Sequence, residues 1–217
     1  MPIRAALFDF DGTLADSFAA ITASTNHVRT SYGLPPLPES EVRHYVGYGL
    51  DHLMRDLVPK APVAEAVARY RAHHQTVMLT ETKLMPGVAE TIPELARRGL
   101  RLGVCSNKRV EFTRQLVAAL GLGPHVTCVL GPDDVENRPK PDPAMLLEGL
   151  NRLGVSRGET VYVGDMAVDV ETARGAGLPV WLVPGGATGE ESARSASPDR
   201  VLASFTQLLE LLPEVRS

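Results

Sequence analysis

Residues 3–14, with the sequence IRAALFDFDGTL, run from a short apolar segment directly into a turn that carries two aspartates. The segment from Ile3 to Phe8 is typical of a buried β-strand. Similar apolar runs recur at Leu102 to Cys105, Val126 to Leu130, Thr160 to Val163 and Val180 to Val183. Amphipathic helical patterns that stop at a glycine separate most of them: Glu90 to Arg98, Glu111 to Leu120, Pro143 to Leu153 and Val168 to Ala176. This alternation predicts an α/β protein with a parallel sheet.

The segment between Asp16 and Leu84 differs from the rest because it contains no convincing apolar strand. Its patterns predict helices at Ser17 to Tyr32, Ser40 to Tyr45, Leu50 to Leu57 and Val63 to Leu79. We therefore predict a Rossmann-like parallel sheet core, residues 1–15 and 85–217, interrupted by an inserted all-helical cap domain, residues 16–84. The glycine- and serine-rich piece from Gly185 to Ser197 is expected to be a surface loop.

The composition excludes several classes of function. The chain has 217 residues and a formal net charge of -4, so it has no basic excess to neutralise the phosphates of a nucleic acid. A run of about 18 apolar residues, as a membrane-spanning helix needs, is absent, and the N-terminal apolar stretch is too short for a signal peptide. We expect a cytoplasmic protein with no nucleic-acid or membrane partner. Cys105 and Cys128 form no CxxC motif and are expected to be buried in strands.

Polar residues follow the predicted strands at the points where these strands end. They are Asp9 and Asp11 after the first strand, Ser106 and Asn107 after the second, Lys140 after the third, and Asp165 and Asp169 after the fourth. In an open parallel sheet the carboxyl ends of the strands form the binding crevice. We therefore expect all of these side chains to converge at one edge of the sheet.

The residue types in the predicted cluster are those that bind a divalent cation and a phosphate group. The aspartates would be like charges packed together, and they would not all ionise at low cost without a cation. Mg²⁺ characteristically takes a few carboxylates and keeps waters, whereas the acid ladder of a calcium loop is missing. Lys140 and Ser106 supply a positive charge and a hydroxyl donor for phosphate oxygens. The ordinary alternatives are a polar turn, a solvated lysine and a helix N-cap at Ser106.

These motifs together resemble the haloacid dehalogenase-like superfamily of phosphotransferases over nearly the whole chain, and within it the phosphoglycolate phosphatases. The stretch DFDGTL, residues 9–14, is similar to the first motif of the family, Ser106 to the second, Lys140 to the third, and Gly164-Asp165 with Asp169 to the fourth. Residues 86–88, 106–108 and 133–135 also resemble this branch, but related pyrophosphatases and sugar-phosphate hydrolases share parts of them. The helical insert is placed like the first type of cap domain in that superfamily.

The resemblance implies a magnesium-dependent phosphomonoester hydrolase that works through an aspartyl-phosphate. Asp9 would be the nucleophile, and Asp11 would protonate the leaving oxygen and then activate water. The implied phosphate-binding residues are Ser106, Lys140 and the backbone N–H groups near Gly12 and Asn107. The implied magnesium ligands are the side chains of Asp9 and Asp165 and the backbone carbonyl of Asp11, with Asp169 in support. The partner would be a small phosphorylated metabolite, and the sequence leaves the oligomeric state open.

Several alternatives remain on the same scaffold. A pyrophosphatase or a sugar-phosphate phosphatase would use the same core. A phosphomutase is disfavoured because the stretch GYGL, residues 47–50, lacks the arginine that would hold a second phosphate. A dehalogenase would lack Asp11, and a non-enzymatic binding protein would normally have lost one of the motif residues.

The leading candidate substrate is 2-phosphoglycolate, because the core motifs resemble that branch most closely. Arg43 and Arg55, near the loop formed by residues 47–49, are candidates for pairing with its carboxylate. A solvated helix face is the ordinary reading of these two arginines. The histidines of the insert lack the paired spacing of a zinc site and are given no function.

Overall fold

The computed structural model describes residues 2–186 and 194–215. Its strands are β1 (Ala5–Phe8), β2 (Ala15–Asp16), β3 (Lys83–Leu84), β4 (Arg101–Cys105), β5 (Cys128–Leu130), β6 (Thr160–Gly164), β7 (Val180–Leu182) and β8 (Arg200–Val201). Between β1 and β7 its α-helices are α1 (Phe18–Ser31), α2 (Glu39–Val42), α3 (Leu50–Leu57), α4 (Val63–Val77), α5 (Val88–Arg97), α6 (Val110–Ala119), α7 (Ala144–Leu153) and α8 (Ala167–Ala176). A short helix, Leu208–Leu211, follows β8.

Six strands form one parallel sheet in the order β5-β4-β1-β6-β7-β8. The α/β prediction with a parallel sheet is confirmed, and the predicted strands and core helices lie within about two residues of those observed. β8 was not predicted, because two half-exposed residues at a sheet edge leave no apolar run. The surface loop predicted for Gly185 to Ser197 lies mostly outside the described residues.

The strand β1 runs through the middle of the core, and its alternating side chains contact both helical layers. Ala6 and Phe8 belong to one buried cluster, and Ala5 and Leu7 belong to the other. A strand buried on both faces reads as a continuous apolar run, which explains why the sequence pattern was so clear. Cys105 and Cys128 are buried in β4 and β5, as predicted.

The insert is helical, and its helices pack around a hydrophobic cluster of their own, which includes Phe18, Ile21, Val28, Met54 and Tyr70. The helix predicted at 50–57 has the observed bounds of α3, whereas the predicted helix at 40–45 is the short α2 followed by a 3-10 turn. The junction with the core is the antiparallel ribbon of β2 and β3, which the sequence analysis missed because each strand has only two residues. The division at residues 15–16 and 84–85 stays a prediction.

Along the described residues, none of the helices combines the length and the apolar character that a membrane crossing requires.

Candidate active site

The first motif, residues 9–14, begins at the carboxyl end of β1, which is an interior strand of the sheet. β1 has β4 on one side and β6 on the other, and Phe8 is level with Val104 and Val163. The next residue, Asp9, donates its backbone N–H to the carbonyl oxygen of Val163 over 2.9 Å. Ser106 and Asp165 follow the ends of the two flanking strands. The sheet register thus brings Asp9, Ser106 and Asp165 to one edge.

Lys140 lies at the centre of the buried charges. Its Nζ lies 2.7 Å from Oδ1 of Asp9 and 2.7 Å from Oδ1 of Asp169, and the lysine is 2% exposed. Burial alone would lower the pKa of Lys140, but the carboxylates of Asp169 and Asp9 outweigh it and raise that pKa. Burial raises the pKa of Asp9 to about 7, while the ammonium of Lys140 acts in the opposite direction. Lys140 is therefore a fixed positive charge beside Asp9 and not a solvated surface lysine.

Asp169 accepts hydrogen bonds at both carboxylate oxygens. Oδ1 accepts from Nζ of Lys140 at 2.7 Å and from the hydroxyl of Tyr162 at 3.0 Å. Oδ2 accepts from the backbone N–H groups of Asp165 and Met166, each at 3.1 Å. Four donors occupy most of the acceptor capacity of a carboxylate. Asp169 thus holds the backbone of Asp165 and the ammonium of Lys140 in place.

The donor set fits a hard divalent cation. One carboxylate oxygen from each of Asp9, Asp165 and Asp169 lies within 4.8 Å of the other two, and all three residues are buried. Oxygen ligands of this kind are those that Mg²⁺ prefers. Among the described contacts, the carboxylate of Asp169 has the most donors of these three residues, and its assignment as a supporting residue stays a prediction. Oδ1 of Asp165 accepts from the Thr13 hydroxyl at 3.1 Å, which orients it.

The residue Gly186 covers the carboxylate of Asp165. A Cβ atom at this position would collide with Oδ2 of Asp165 and with the carbonyl oxygen of Gly12. Only a glycine lets the chain approach the buried carboxylate this closely. The carbonyl oxygen of Gly186 accepts a hydrogen bond of 3.3 Å from Nη1 of Arg43, so Gly186 also contacts the cap.

Asp11 lies apart from the other three carboxylates. Nζ of Lys108 contacts both of its oxygens, at 3.1 and 3.2 Å, and the hydroxyl of Ser17 donates to Oδ1. A positive charge and a hydroxyl donor thus fix this carboxylate. The magnesium role that the resemblance implied for Asp11 concerned its backbone carbonyl, and it stays a prediction.

The predicted phosphate-binding residues differ in what they offer. Ser106 is buried, and its Oγ accepts from the backbone N–H of Lys108 at 3.3 Å but donates to no described residue, so its proton is free for a ligand. It does not cap α6, because the first N–H of that helix, on Val110, donates to Asp133. The backbone N–H of Gly12 donates to the carbonyl oxygen of Ala15 at 2.8 Å. This hydrogen bond shapes the turn, and the phosphate contact expected from N–H groups near Gly12 stays a prediction.

The side chain of Asn107 connects the cap with the core. Its Nδ2 donates to the carbonyl oxygens of Gly47 and Lys140 at 2.9 and 3.1 Å, and its Oδ1 accepts from the backbone N–H of Lys140 at 2.7 Å. All of these contacts are structural. Any phosphate contact of Asn107 would thus be made by its backbone N–H, as the sequence analysis expected.

A cavity of ≈ 330 Å³ lies between the cap and these residues. Asp9, Asp11, Ser106 and Lys140 line it from the core, and the loop formed by residues 47–49 lines it from the cap. This volume is at the small end of the range for ligand sites. The site is therefore sized for a compact molecule.

The two arginines expected to hold a substrate carboxylate do not line this cavity. Arg43 lies 4.0 Å above the ring of Phe18, and its Nη2 is 2.8 Å from Oε1 of Glu39. Arg55 is exposed on α3. The prediction for these residues is wrong, because nearness to residues 47–49 in the sequence does not decide which side chains face the cavity.

Comparison with known proteins assigns the arrangement to a family. The family model of haloacid dehalogenase-like hydrolases matches residues 6–183. The chain belongs to this family. It is 33% identical to a phosphoglycolate phosphatase of Cupriavidus necator over 222 residues, covering 100% of this chain and 96% of that protein. It is 35% identical to a phosphoglycolate phosphatase of Rhodospirillum rubrum, covering 88% and 83% of the two chains.

Solved structures of haloacid dehalogenase-like proteins have the same fold. A hydrolase from Bacteroides fragilis is 26% identical and superposes with a TM-score of 0.85, covering 95% of this chain and 100% of that one. A Rhodobacter sphaeroides protein in complex with phosphate is 27% identical and has a TM-score of 0.82, covering 97% and 99%. The enzyme is accordingly a phosphatase of the haloacid dehalogenase-like family.

The structure of this haloacid dehalogenase-like enzyme also shows site residues that the sequence analysis missed. Lys108 was seen only as part of a stretch similar to one branch of the family, although its position directly after Ser106-Asn107 was a usable signal. Arg71 and His74 line the cavity from α4. Their sequence neighbourhood gives no signal, because only the docking of the cap brings them to the site.

Proposed function

We propose that this phosphatase hydrolyses a small phosphomonoester through an aspartyl-phosphate formed at Asp9, with Mg²⁺ as its cofactor and 2-phosphoglycolate as the first candidate substrate. The observation that carries the proposal is the setting of Asp9. This buried carboxylate lies at the end of a central strand, lines the cavity and contacts Lys140 at 2.7 Å. Asp11 lines the same cavity two residues further on.

The proposed first step joins an oxygen of Asp9 to phosphorus and breaks the bond from phosphorus to the leaving oxygen. Asp11 gives its proton to that leaving oxygen. In the second step Asp11 accepts a proton from water, and the water oxygen attacks the phosphorus of the aspartyl-phosphate. Inorganic phosphate leaves and Asp9 is restored. The contacts of Lys108 and Ser17 orient Asp11, and the proton that Asp11 gives in the first step is the one it accepted from water in the preceding cycle.

Charge neutralisation carries most of the catalysis in phosphoryl transfer. We assign the Lys140 ammonium and the Ser106 hydroxyl to the oxygens of the transferring phosphoryl group. Asp9, Asp165 and the backbone carbonyl of Asp11 would hold Mg²⁺, and Asp169 would position Asp165 and Lys140. The bound ion would supply positive charge, which offsets the repulsion between Asp9 and the phosphate dianion.

The substrate assignment is supported by the names of relatives that cover almost the whole chain, among them the phosphoglycolate phosphatase of Cupriavidus necator. The cavity of ≈ 330 Å³ is also large enough for a compact phosphomonoester. A panel of phosphorylated metabolites, ranked by kcat/KM with and without Mg²⁺, tests this assignment. A tenfold preference for pyrophosphate or a hexose phosphate would overturn the substrate but not the chemistry.

The covalent step has a separate test. Borohydride reduces an aspartyl-phosphate to homoserine, which mass spectrometry locates in the sequence. We expect homoserine at position 9 when the Asp11→Asn variant is quenched during turnover, because loss of the general base slows the second step. Absence of the modification from a protein that still hydrolyses p-nitrophenyl phosphate would contradict the mechanism.

A further inference from the structure

The cavity has two chemically different faces. Asp9, Ser106 and Lys140 line it on the core side, where the phosphoryl group would react. Tyr70, Arg71 and His74, all from α4, line it on the cap side. The cap side therefore faces the leaving group of the substrate.

The cations of the cavity differ in whether they already have an anionic partner. Lys140 pairs with Asp9 and Asp169, Lys108 pairs with Asp11, and Arg109 lies 3.1 Å from Oε2 of Glu111. Arg71 is different. Within residues 2–186 and 194–215, no carboxylate lies within ion-pair distance of its guanidinium, and none of its nitrogens has a protein hydrogen-bond partner.

Part of this guanidinium is also shielded from water. Nε of Arg71 is buried, and it makes no hydrogen bond with the described part of the chain. A buried donor without a partner is costly, and a charged one more so. Arg71 and His74 are three residues apart on α4 and therefore lie on the same side of the helix. A ligand that brings an anionic oxygen to this side would satisfy a donor that has no partner in the described part of the protein.

We propose that Arg71 is a specificity residue that binds a carboxylate in the leaving group, so that the enzyme selects short phosphomonoesters with a second anionic end. This rests on the proposed phosphatase function. A guanidinium fork matches the two oxygens of a carboxylate. Burial of Nε strengthens such a contact, because a hydrogen bond that is shielded from water is electrostatically stronger. The small volume limits the distance between the phosphoryl group and the second anion to that of a short molecule.

The experiment compares two substrates that differ only in the anionic end. These are 2-phosphoglycolate and 2-hydroxyethyl phosphate, in which a neutral hydroxymethyl group replaces the carboxylate. Both are measured with the wild-type enzyme and the Arg71→Ala, Arg71→Lys and Arg55→Ala variants, at saturating Mg²⁺. Arg55→Ala is the matched control, because it removes the same charge from an exposed position on the cap.

We expect Arg71→Ala to lower kcat/KM for 2-phosphoglycolate roughly 10–100-fold, the loss of one charge-assisted contact. For 2-hydroxyethyl phosphate we expect less than about a threefold change on the same reasoning. Arg71→Lys should recover part of the loss because it retains the charge. Arg55→Ala should resemble the wild type on both substrates. Thermal unfolding of each variant separates a loss of contact from a loss of fold.

The possible failures are distinguishable. If the wild type hydrolyses neither substrate nor p-nitrophenyl phosphate, the proposed function itself fails. If Arg71→Ala lowers kcat/KM equally for both substrates, or if Arg55→Ala has the same effect, the enzyme remains a phosphatase and the role of Arg71 is overturned. Pyrophosphate is assayed with the same variants. If Arg71→Ala lowers kcat/KM more for pyrophosphate than for 2-phosphoglycolate, the second anion is a phosphate and the carboxylate assignment is overturned.

Discussion

Lys108 holds the carboxylate of Asp11 with its ammonium, at 3.1 and 3.2 Å from the two oxygens. The lysine comes from the segment after β4 and the aspartate from the turn after β1, so the contact joins two neighbouring strand ends. Its side chain is 7% exposed, which protects the pair from screening by solvent. The orientation of the proposed acid–base group therefore depends on a residue outside the first motif.

Replacing Lys108 should thus impair catalysis through Asp11. We expect Lys108→Met to lower kcat roughly 10–100-fold, because a misplaced catalytic group has an effect of this size. The loss should be larger for an alkyl phosphate than for p-nitrophenyl phosphate in single-turnover experiments, since nitrophenolate leaves without protonation. Lys60→Met, on an exposed part of the cap, is the charge control. Equal losses on both substrates would show that Lys108 does not act through proton transfer.

The Asp9→Asn variant should be folded and inactive, because an amide does not attack phosphorus at a useful rate. Asp11→Asn should lose on the order of 10²–10⁴-fold in kcat, the range for a missing proton transfer. Circular dichroism and steady-state assays measure both. Turnover near that of the wild type in a folded Asp9→Asn protein would refute the nucleophile.

Chelation by EDTA should stop the reaction, and Mg²⁺ should restore it. A readout independent of activity is the free energy of unfolding, which should rise by about 2.7 kcal/mol at a Mg²⁺ concentration 100 times its Kd. Asp165→Ala should remove this stabilisation because it removes a proposed ligand. The matched control is Asp133→Ala, whose carboxylate accepts from the N–H of Val110 at the start of α6. If Mg²⁺ raises the free energy of unfolding of Asp165→Ala as much as that of the wild type, the cation binds elsewhere.

His74 should make stability depend on pH. Burial lowers its pKa from 6.5 to about 3, with Lys108 acting in the same direction. Between these values the unfolded chain binds a proton that the folded protein does not. The free energy of unfolding should therefore fall as the pH falls from 6.5 towards 3, by up to about 1.4 kcal/mol per pH unit.

Urea unfolding at pH 6.5, 5.5 and 4.5 measures this slope. The Asn side chain of His74→Asn keeps a donor near the Ser24 hydroxyl, which lies 3.1 Å from Nδ1 of His74. This variant should be less stable overall but should show a shallower slope. Parallel slopes for the two proteins would mean that His74 is not responsible.

The sequence analysis predicted the positions of Asp9, Ser106 and Asp165 because each directly follows a strand with a clear local pattern. Lys140 lies further along, in the connection between β5 and α7. A parallel sheet then fixes where Asp9, Ser106 and Asp165 lie, since the carboxyl ends of its strands meet at one edge. Asp169 was expected only to support the metal. In the structure four hydrogen bonds occupy its carboxylate, which is compatible with this prediction.

The wrong prediction at Arg43 and Arg55 has a different origin. Both arginines lie near the loop at residues 47–49 in the chain, and nearness in sequence was the basis of the prediction. Arg71 lies much further along the chain and yet lines the cavity. Which helical face meets the core depends on how the cap packs, and a helix pattern separates only buried from exposed faces.

The sequence by itself determined the fold class, the helical insert and the motif residues at the strand ends, because periodicity, glycine stops and strand-end position are local properties of the chain. The tertiary structure alone decided the pairing of Lys108 with Asp11, the four hydrogen bonds to Asp169 and the lack of a partner for the Arg71 guanidinium among the described residues. These depend on side chains that converge from distant segments. The physical reason is that charge pairing and burial are fixed by non-local packing, which no local pattern of residues encodes.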